Sequence, residues 1–275
     1  MRTLPSGYFF GSHYSENQFE QLKITDTVYT HERVDWHRHE HPYFTFLLRG
    51  KLYEENKKEA YYLQPGNLVF HYWQDAHYNK KPPEYTRGFH IEINTEWLDK
   101  YELNLWHLEG SHQLDHPAII REIQQLFLAT KRNTSDTKLI VESALINALC
   151  HSNSPVGTQR KPAPNWVAQL KDLLHSDPTA QLDLSYISNI LGVHPVHISR
   201  AFPKYFGQSF TDYLRTLRIN QAFTLMSNPE YNLTNISHTC GFFDQSHFIK
   251  TIQKHHTLTP KQLVKLLHSV KQVQF

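Results

Sequence analysis

Two stretches in the second half of this 275-residue chain repeat one short pattern about 50 residues apart. In each, a small residue stands four positions before a glycine: Ser188 before Gly192, and Ser237 before Gly241. The small side chain allows a second helix to cross closely, and the glycine permits the positive φ of a sharp turn. An apolar residue then anchors the second helix. These anchors are Ile198 and Phe248. The pattern predicts two helix-turn-helix units, whereas one copy alone is equally typical of an ordinary helical hairpin.

A stretch between the two copies, residues 210–226, has apolar residues at helical spacing and is expected to form one long helix. Ser209 and Asp212 at its start resemble a capping box, in which side chains satisfy the free N–H groups of a helix terminus. Because its apolar positions can pack on both units, the second half is predicted to be all-α.

The charges are divided unequally along the chain. Residues 1–160 hold 17 Lys and Arg against 20 Asp and Glu, whereas residues 161–275 hold 11 against 6. A basic half suggests contact with a polyanion. A solvated helical surface is an equally good reading of the charge alone.

The first half has the periodicity of short strands separated by turns. Residues 43–48 and 68–73 are rich in aromatic and branched aliphatic side chains. In residues 89–93, apolar residues alternate with His90 and Glu92, which predicts a strand with one face in water. Several short strands at this spacing predict a sandwich or a small barrel.

Two helices are predicted after the strands, from apolar stripes in residues 119–129 and 139–149. They could cap the barrel or pair with a second subunit. Residues 152–165 are polar and rich in Pro and Ser, which is typical of a linker. We therefore predict one domain at 1–151 and a second at 166–275.

The composition excludes several classes of protein. With only Cys150 and Cys240, the chain has no disulfide framework and no structural zinc site needing two nearby thiolates. No apolar run is long enough to cross a bilayer, and the first ten residues lack the features of a secretion signal. We expect a cytoplasmic protein without membrane contact.

Residues 207–226 read GQSFTDYLRTLRINQAFTLM, and residues 233–260 read LTNISHTCGFFDQSHFIKTIQKHHTLTP. Together they resemble the signature of the AraC/XylS transcription regulators, over about residues 165–268. The N-terminal half resembles the cupin-like regulatory β-barrel of many such regulators. The resemblance implies an α+β fold of two domains: a cupin-like β-barrel with two trailing helices, and an all-α domain with two helix-turn-helix units.

In that family, the second helix of each unit enters the major groove, and the two helices lie about one helical turn, roughly 34 Å, apart on one face of the DNA. Carried over, Arg200 suits a guanine edge, Gln245 an adenine edge, and Lys250 a guanine or a phosphate. The implied base-reading residues are Val196, His197, Ser199, Arg200, Gln245, Ser246, His247 and Lys250. The candidates for contact with the DNA backbone are Lys204, Arg215 and Lys254.

Three positions depart from the family pattern. Pro203 replaces a basic residue late in the first recognition helix, and we expect it to distort or shorten the last turn. His256-Thr257 replaces the usual Phe-Gly, so the glycine that caps the second recognition helix is lost. Leu263-Val264 stands where the family has an aromatic-Arg pair.

The first 160 residues hold 12 of the 20 histidines. His37 and His39 share one face of a predicted strand, and His77 follows on a later one. Tyr43 stands where metal-binding cupins have a Glu. Three neutral imidazoles could hold Zn, Fe, Ni or Cu. They could equally hydrogen-bond among themselves or line an effector cavity without a metal.

The resemblance favours the metal-free reading. We therefore predict no cofactor and no metal, with His37, His39, Tyr43 and His77 as effector-pocket candidates.

The leading hypothesis is a sequence-specific DNA-binding transcriptional regulator, not an enzyme, whose N-terminal barrel binds a small effector, dimerises, or both. Its expected partners are double-stranded DNA, the effector, a second copy of the chain and, for an activator, RNA polymerase. The alternative from another class is a metal-dependent cupin enzyme that uses His37, His39 and His77. A sugar-binding module without DNA contact is a third, which the paired glycine turns disfavour.

Overall fold

The computed structural model describes residues 2–103, 110–152, 163–176 and 182–269. The chain divides into two compact units, Met1–Asn153 with Lys265–Phe275, and Ser154–Val264. Most of the predicted linker, residues 153–162, lies outside the described residues. No helix in the described ranges is long and apolar enough to cross a membrane.

The first unit is built on two β-sheets. The strands are β1 Arg2–Leu4, β2 Gly11–Phe19, β3 Leu22–Tyr29, β4 Arg33–His39, β5 Tyr43–Arg49, β6 Leu52–Asn56, β7 Ala60–Leu63, β8 Leu68–His71, β9 His77–Lys80, β10 Arg87–Ile93 and β11 His112–Leu114. One sheet has the order β1-β4-β9-β6-β7, and the other the order β11-β8-β5-β10-β3-β2. Among the described strands, every pairing is antiparallel except that of β1 with β4.

The strand pairings of the described residues form two separate sheets and do not close a barrel. The prediction of strands followed by helices is confirmed, whereas the cupin-like barrel is not confirmed by these pairings. The helices of this unit are α1 Thr95–Lys100, α2 Pro117–Arg132 and α3 Thr137–Ser152. The long helices α2 and α3 pack against each other, and Phe127 of α2 meets Phe89 of β10 edge to face at 5.0 Å.

The central strand β10 corrects one prediction. His90 and Glu92, expected to face water, are 1% and 2% exposed. Since β10 lies between β5 and β3, α2 covers one of its faces and the side chains between the two sheets cover the other. The alternation of polar and apolar residues is real, but the polar face looks into the interior.

The second unit is all-α. Its helices are α4 Asn165–Ser176, α5 Leu184–Leu191, α6 Pro195–Phe206, α7 Phe210–Met226, α8 Leu233–Thr239, α9 Gln245–His256 and α10 Pro260–His268, the end of which belongs to the first unit. Helix α7 has the predicted bounds, and Ser209 accepts a hydrogen bond from the Asp212 N–H at its start. It packs against α6 and against α8, because buried side chains such as Tyr213 and Phe223 line its length.

Candidate nucleic-acid interface and a buried histidine cluster

A cluster of imidazole side chains lies between the two sheets of the first unit. The cluster consists of His37, His39, His71, His77 and His90, together with Tyr43 and Glu54, and each member is at most 4% exposed. The strand register places them there, because His37 lies opposite His77 in one sheet and Tyr43 lies opposite His71 in the other. The predicted effector-pocket residues are thus brought together, along with three further residues, His71, His90 and Glu54, that the sequence analysis did not select.

The contacts within the cluster are close. The rings of His37 and His77 are 4.3 Å apart, and Nε2 of His77 lies 3.1 Å from the Tyr43 hydroxyl. The Tyr43 ring stacks on His71 at 4.1 Å. Nδ1 of His71 lies 3.2 Å from Oε1 of Glu54. Among the described residues, Nε2 of His71 has no hydrogen-bond partner.

Burial keeps these groups uncharged. It lowers the pKa of His71 and of His39 well below the usual range, and neighbouring imidazoles lower both further. Burial lowers the pKa of His77 to about 3 and raises the pKa of Glu54 to about 8. Near neutral pH the interior therefore holds neutral imidazoles, which are the form that binds a metal ion.

The cavity beside the cluster is small. Its volume is about 20 Å³, and its lining includes His37, His39, Tyr43 and Glu54. Phe9 closes it by stacking on His90 at 3.9 Å and on His39 at 5.1 Å. A site for an organic ligand usually offers about 300–1,000 Å³. In this arrangement the cavity has room for one water molecule or one ion and for no sugar or aromatic acid.

The first helix-turn-helix unit consists of α5 and α6. Gly192 ends α5 in the left-handed conformation, with φ 63°. A Cβ at this position would meet no atom within 4 Å, so the conformation and not the space requires the glycine. Helix α6 begins at the N-cap His194, and its anchor Ile198 is fully buried.

The second helix-turn-helix unit consists of α8 and α9. Gly241 has φ 68° in the turn, and Asp244 caps α9 by accepting a hydrogen bond from the His247 N–H at 2.6 Å. Its anchor Phe248 is fully buried, as is Ser237 in α8. Both turns thus have the predicted conformation.

The two recognition helices, α6 and α9, correspond residue by residue: each residue of α6 has its counterpart 50 positions later in α9, which we call the offset of 50. Their N-caps are His194 and Asp244, and their buried anchors are Ile198 and Phe248. The same offset relates further buried pairs and exposed pairs. The buried pairs are Phe202 with Ile252 and Phe206 with His256, and the exposed pairs are His197 with His247, Arg200 with Lys250 and Lys204 with Lys254. Each helix therefore presents a basic stripe of the same spacing.

All eight predicted base-reading side chains are exposed, and so are the three predicted backbone contacts. Arg215 forms an ion pair of 2.6 Å with Asp212, three residues earlier in α7. The Nζ of Lys204 lies 5.2 Å from the ring centroid of Tyr205.

Residues 187–265 match the family model described as a helix-turn-helix domain. The chain is similar to the transcriptional activator CfaD of Escherichia coli, at 23% identity over 81% of this chain and 72% of CfaD. It is also similar to the uncharacterised transcriptional regulator YijO of the same species, at 24% identity over 48% of this chain and 46% of YijO, so it spans about half the length of that relative. Among solved structures, the C-terminal domain of the response regulator yesN of Fusobacterium nucleatum is 30% identical over 37% of this chain and 99% of that domain, with a TM-score of 0.34.

Residues 187–265 thus form a helix-turn-helix domain of the AraC type. It is a domain that the chain shares with transcriptional regulators such as CfaD. The hypothesis of a metal-dependent cupin enzyme is not favoured, because the matched domain and these relatives are regulators.

Two departures from the AraC/XylS pattern have defined outcomes. Pro203 was expected to distort or shorten the last turn of the first recognition helix, and the shortening is wrong: α6 runs on to Phe206 and is capped by Gly207, whose N–H bonds to the Pro203 carbonyl at 3.0 Å. Buried Phe202 and Phe206 hold that turn against the core. At the end of α9, Thr257 itself takes the left-handed conformation, with φ 56°.

The sequence analysis missed two exposed residues of the second helix-turn-helix unit. Gln253 stands on the outer face of α9, at the offset position of Pro203, and helical spacing from Ser246 could have found it. Phe243, just before the N-cap of α9, is 89% exposed. An aromatic residue after a glycine turn is normally assigned to a core, so the sequence held no signal for its exposure.

Proposed function

We propose that the chain is an AraC/XylS regulator that recognises a specific DNA sequence by inserting α6 and α9 into successive major grooves. The observation that carries the proposal is the offset of 50, which repeats exposed basic residues at the same positions of both helices. Arg200 and Lys250 would read base edges, whereas Lys204, Arg215 and Lys254 would hold phosphates. The other proposed base contacts are Val196, His197, Ser199, Gln245, Ser246 and His247.

Selection from a randomised duplex, followed by fluorescence anisotropy on the selected site, tests this proposal. Removing a bidentate base contact costs about 1–3 kcal/mol, so Arg200→Ala should weaken binding about 5- to 150-fold and relax the preference at one base pair. Lys261→Ala removes an exposed charge from α10, off both recognition helices, and is the matched control. Equal losses in the two variants, with an unchanged preference, would contradict the assignment of Arg200.

The phosphate contacts have a separate signature. Lys204→Ala and Lys254→Ala should weaken binding to every sequence alike and reduce the slope of log K against log salt by about 1 each. Arg215→Ala should have a smaller effect, because Asp212 already pairs with Arg215. Slopes equal to that of the unmodified chain for both lysine variants would remove these side chains from the interface.

We propose that the N-terminal domain, residues 1–151, is a cupin-like module that binds a small effector or joins two copies of the chain, and that residues 152–165 link it to the DNA-binding domain at 166–275. Because the cavity lined by His37, His39 and Tyr43 is about 20 Å³, an organic effector must displace Phe9 to enter. A thermal-shift screen of sugars and aromatic acids on the full chain and on Phe9→Ala tests this point. Binding that the enlarged cavity does not improve would place the effector elsewhere.

We propose α3 as the dimer contact, because Leu139 is 70% exposed and Ile140 is 38% exposed on that helix. Sedimentation at micromolar concentration should show a dimer that Leu139→Lys dissociates; a monomeric unmodified chain would end this proposal.

If the regulator is an activator, as the relative CfaD is described to be, RNA polymerase is a further partner. Transcription in vitro from the selected site, with purified polymerase, tests that contact.

A further inference from the structure

Three buried side chains of the histidine cluster lie at the spacing of metal ligands. They are Glu54 in β6, His71 at the end of β8 and His77 at the start of β9. One ligand atom of each lies within 4.8 Å of the other two, and each side chain is at most 2% exposed. The three come from both sheets, so the fold itself brings them together.

The contact between Glu54 and His71 fits two ligands of a single ion. Nδ1 of His71 and Oε1 of Glu54 are 3.2 Å apart. Two ligands at tetrahedral angles around an ion, each at roughly 2.0–2.1 Å, stand about 3.3 Å apart. A divalent ion therefore needs little movement of either side chain to bind both.

The surroundings of Glu54 lack a positive charge. Within the described ranges, Glu54 forms no ion pair with a lysine or an arginine. Oε1 of Glu54 and both ring nitrogens of His71 are buried without a hydrogen-bond partner among the described residues, and a buried polar atom without a partner is costly. An ion bound between Oε1 of Glu54 and Nδ1 of His71 would give both atoms a partner.

The cavity beside Glu54 suits an ion better than an organic molecule. Glu54 lines the cavity of about 20 Å³, which is large enough for a water molecule. A metal ion held by three side chains needs such a neighbouring space for the water at its open position.

We propose that Glu54, His71 and His77 form a binding site for one divalent first-row transition metal ion, with two imidazole nitrogens, one carboxylate oxygen and an open position for water. Ligands of this type suit Zn, Fe, Co or Ni. The site makes the first unit a candidate metal sensor, and this inference is independent of the DNA-binding proposal. It differs from a site at His37, His39 and His77, with which it shares only His77.

The test uses the full chain, purified in chelator and then dialysed against Zn(II) or Co(II). We expect one tightly held ion per chain by elemental analysis, and a higher melting temperature with the metal than in chelator. Co(II) in the wild-type chain should shift the NMR signals of the His71 ring and of the Tyr43 ring stacked on it, which needs no variant.

Variants separate the two triplets. Glu54→Gln keeps the size of the side chain and removes the charge, and His71→Asn removes an imidazole; both should lose at least tenfold in affinity and lose the metal-dependent rise in melting temperature. His37→Asn is the matched control, because His37 is a buried member of the other triplet only, and it should retain the ion.

Two results would overturn the proposal. One is a wild-type chain without a tightly bound ion; the other is loss of the ion in His37→Asn but not in Glu54→Gln. Melting curves in chelator show which variants fold. If neither the Glu54 nor the His71 variant folds, the NMR shifts of the Co(II) form decide, and shifts at His37 and His39 without any at His71 would refute the site.

Discussion

Thr257 allows a direct test of how the second recognition helix ends. Its backbone has φ 56° and ψ 18°, in the left-handed region, where a β-branched residue is a conformational outlier. In the first helix-turn-helix unit, the corresponding residue, 50 positions earlier, is Gly207, which ends α6 with φ 74°. The two caps thus have the same role, and only one has the residue that the conformation favours. We predict that Thr257→Gly stabilises the protein.

The magnitude follows from opposing contributions. A non-glycine residue in a sparsely populated region of φ and ψ costs about 1–3 kcal/mol. Glycine gives back about 0.4–1 kcal/mol through the greater freedom of the unfolded chain. The Thr257 side chain is exposed and, within the part of the chain that the structure describes, hydrogen-bonds only to the His256 carbonyl, at 2.6 Å, so little packing is lost. A net gain of about 1 kcal/mol remains, equivalent to about 4 °C in melting temperature for a unit of this size.

Calorimetry or urea unfolding of the full chain measures the effect, with two comparisons. Gly207→Thr should destabilise by about 1–2 kcal/mol, and a Cβ there meets no atom within 4 Å, so the loss would be conformational. Thr257→Ala removes the branch but keeps most of the left-handed penalty, and should change stability by less than Thr257→Gly. Equal effects of Ala and Gly at position 257 would refute the reasoning, since the gain would not depend on φ.

Three further predictions concern other parts of the chain. Burial raises the pKa of Cys240 to about 12, so iodoacetamide should modify exposed Cys150 in the native protein and leave Cys240 intact. Peptide mass spectrometry measures the labelling, and fast labelling of both cysteines would contradict the burial of Cys240. Phe9→Ala should lower the free energy of unfolding by about 3–5 kcal/mol, because it opens a cavity against the stacked imidazoles, and a urea titration giving less than 1 kcal/mol would be inconsistent with that stacking. Burial alone would raise the pKa of Asp26, but two hydrogen bonds from Arg87 hold that pKa below its usual range. The stability that the Asp26 carboxylate contributes is therefore present at neutral pH and is lost as the pH falls through the lowered pKa. Asp26→Asn should cost about 3–5 kcal/mol at pH 7 and flatten the loss below about pH 4 in melting curves, and an unchanged acid dependence would count against it.

The helical unit could be predicted closely because its signals are local. A capping side chain, a left-handed glycine and an apolar anchor all act within a few residues, so α7 was predicted with the bounds it has. Pro203 shows the limit of such rules. A proline inside a helix removes one hydrogen bond, but Phe202 and Phe206 pack on the core on either side of it, and this burial keeps the last turn helical. Tertiary packing outweighed the local penalty, and nothing near Pro203 in the sequence indicated that.

The sheets were harder to predict because alternation along a strand reveals two faces without revealing what covers them. His90 and Glu92 in β10 have the period of a face in water, yet the second sheet and Phe9 cover that face. The same ambiguity hid His71, at the end of an apolar strand, and Glu54, on a strand that the sequence analysis did not single out. A buried polar face must find partners inside the protein. It follows that histidines on interior-facing positions of such strands will collect in one cluster, and that the cluster's chemistry depends on pairings between distant strands, which only the structure reveals.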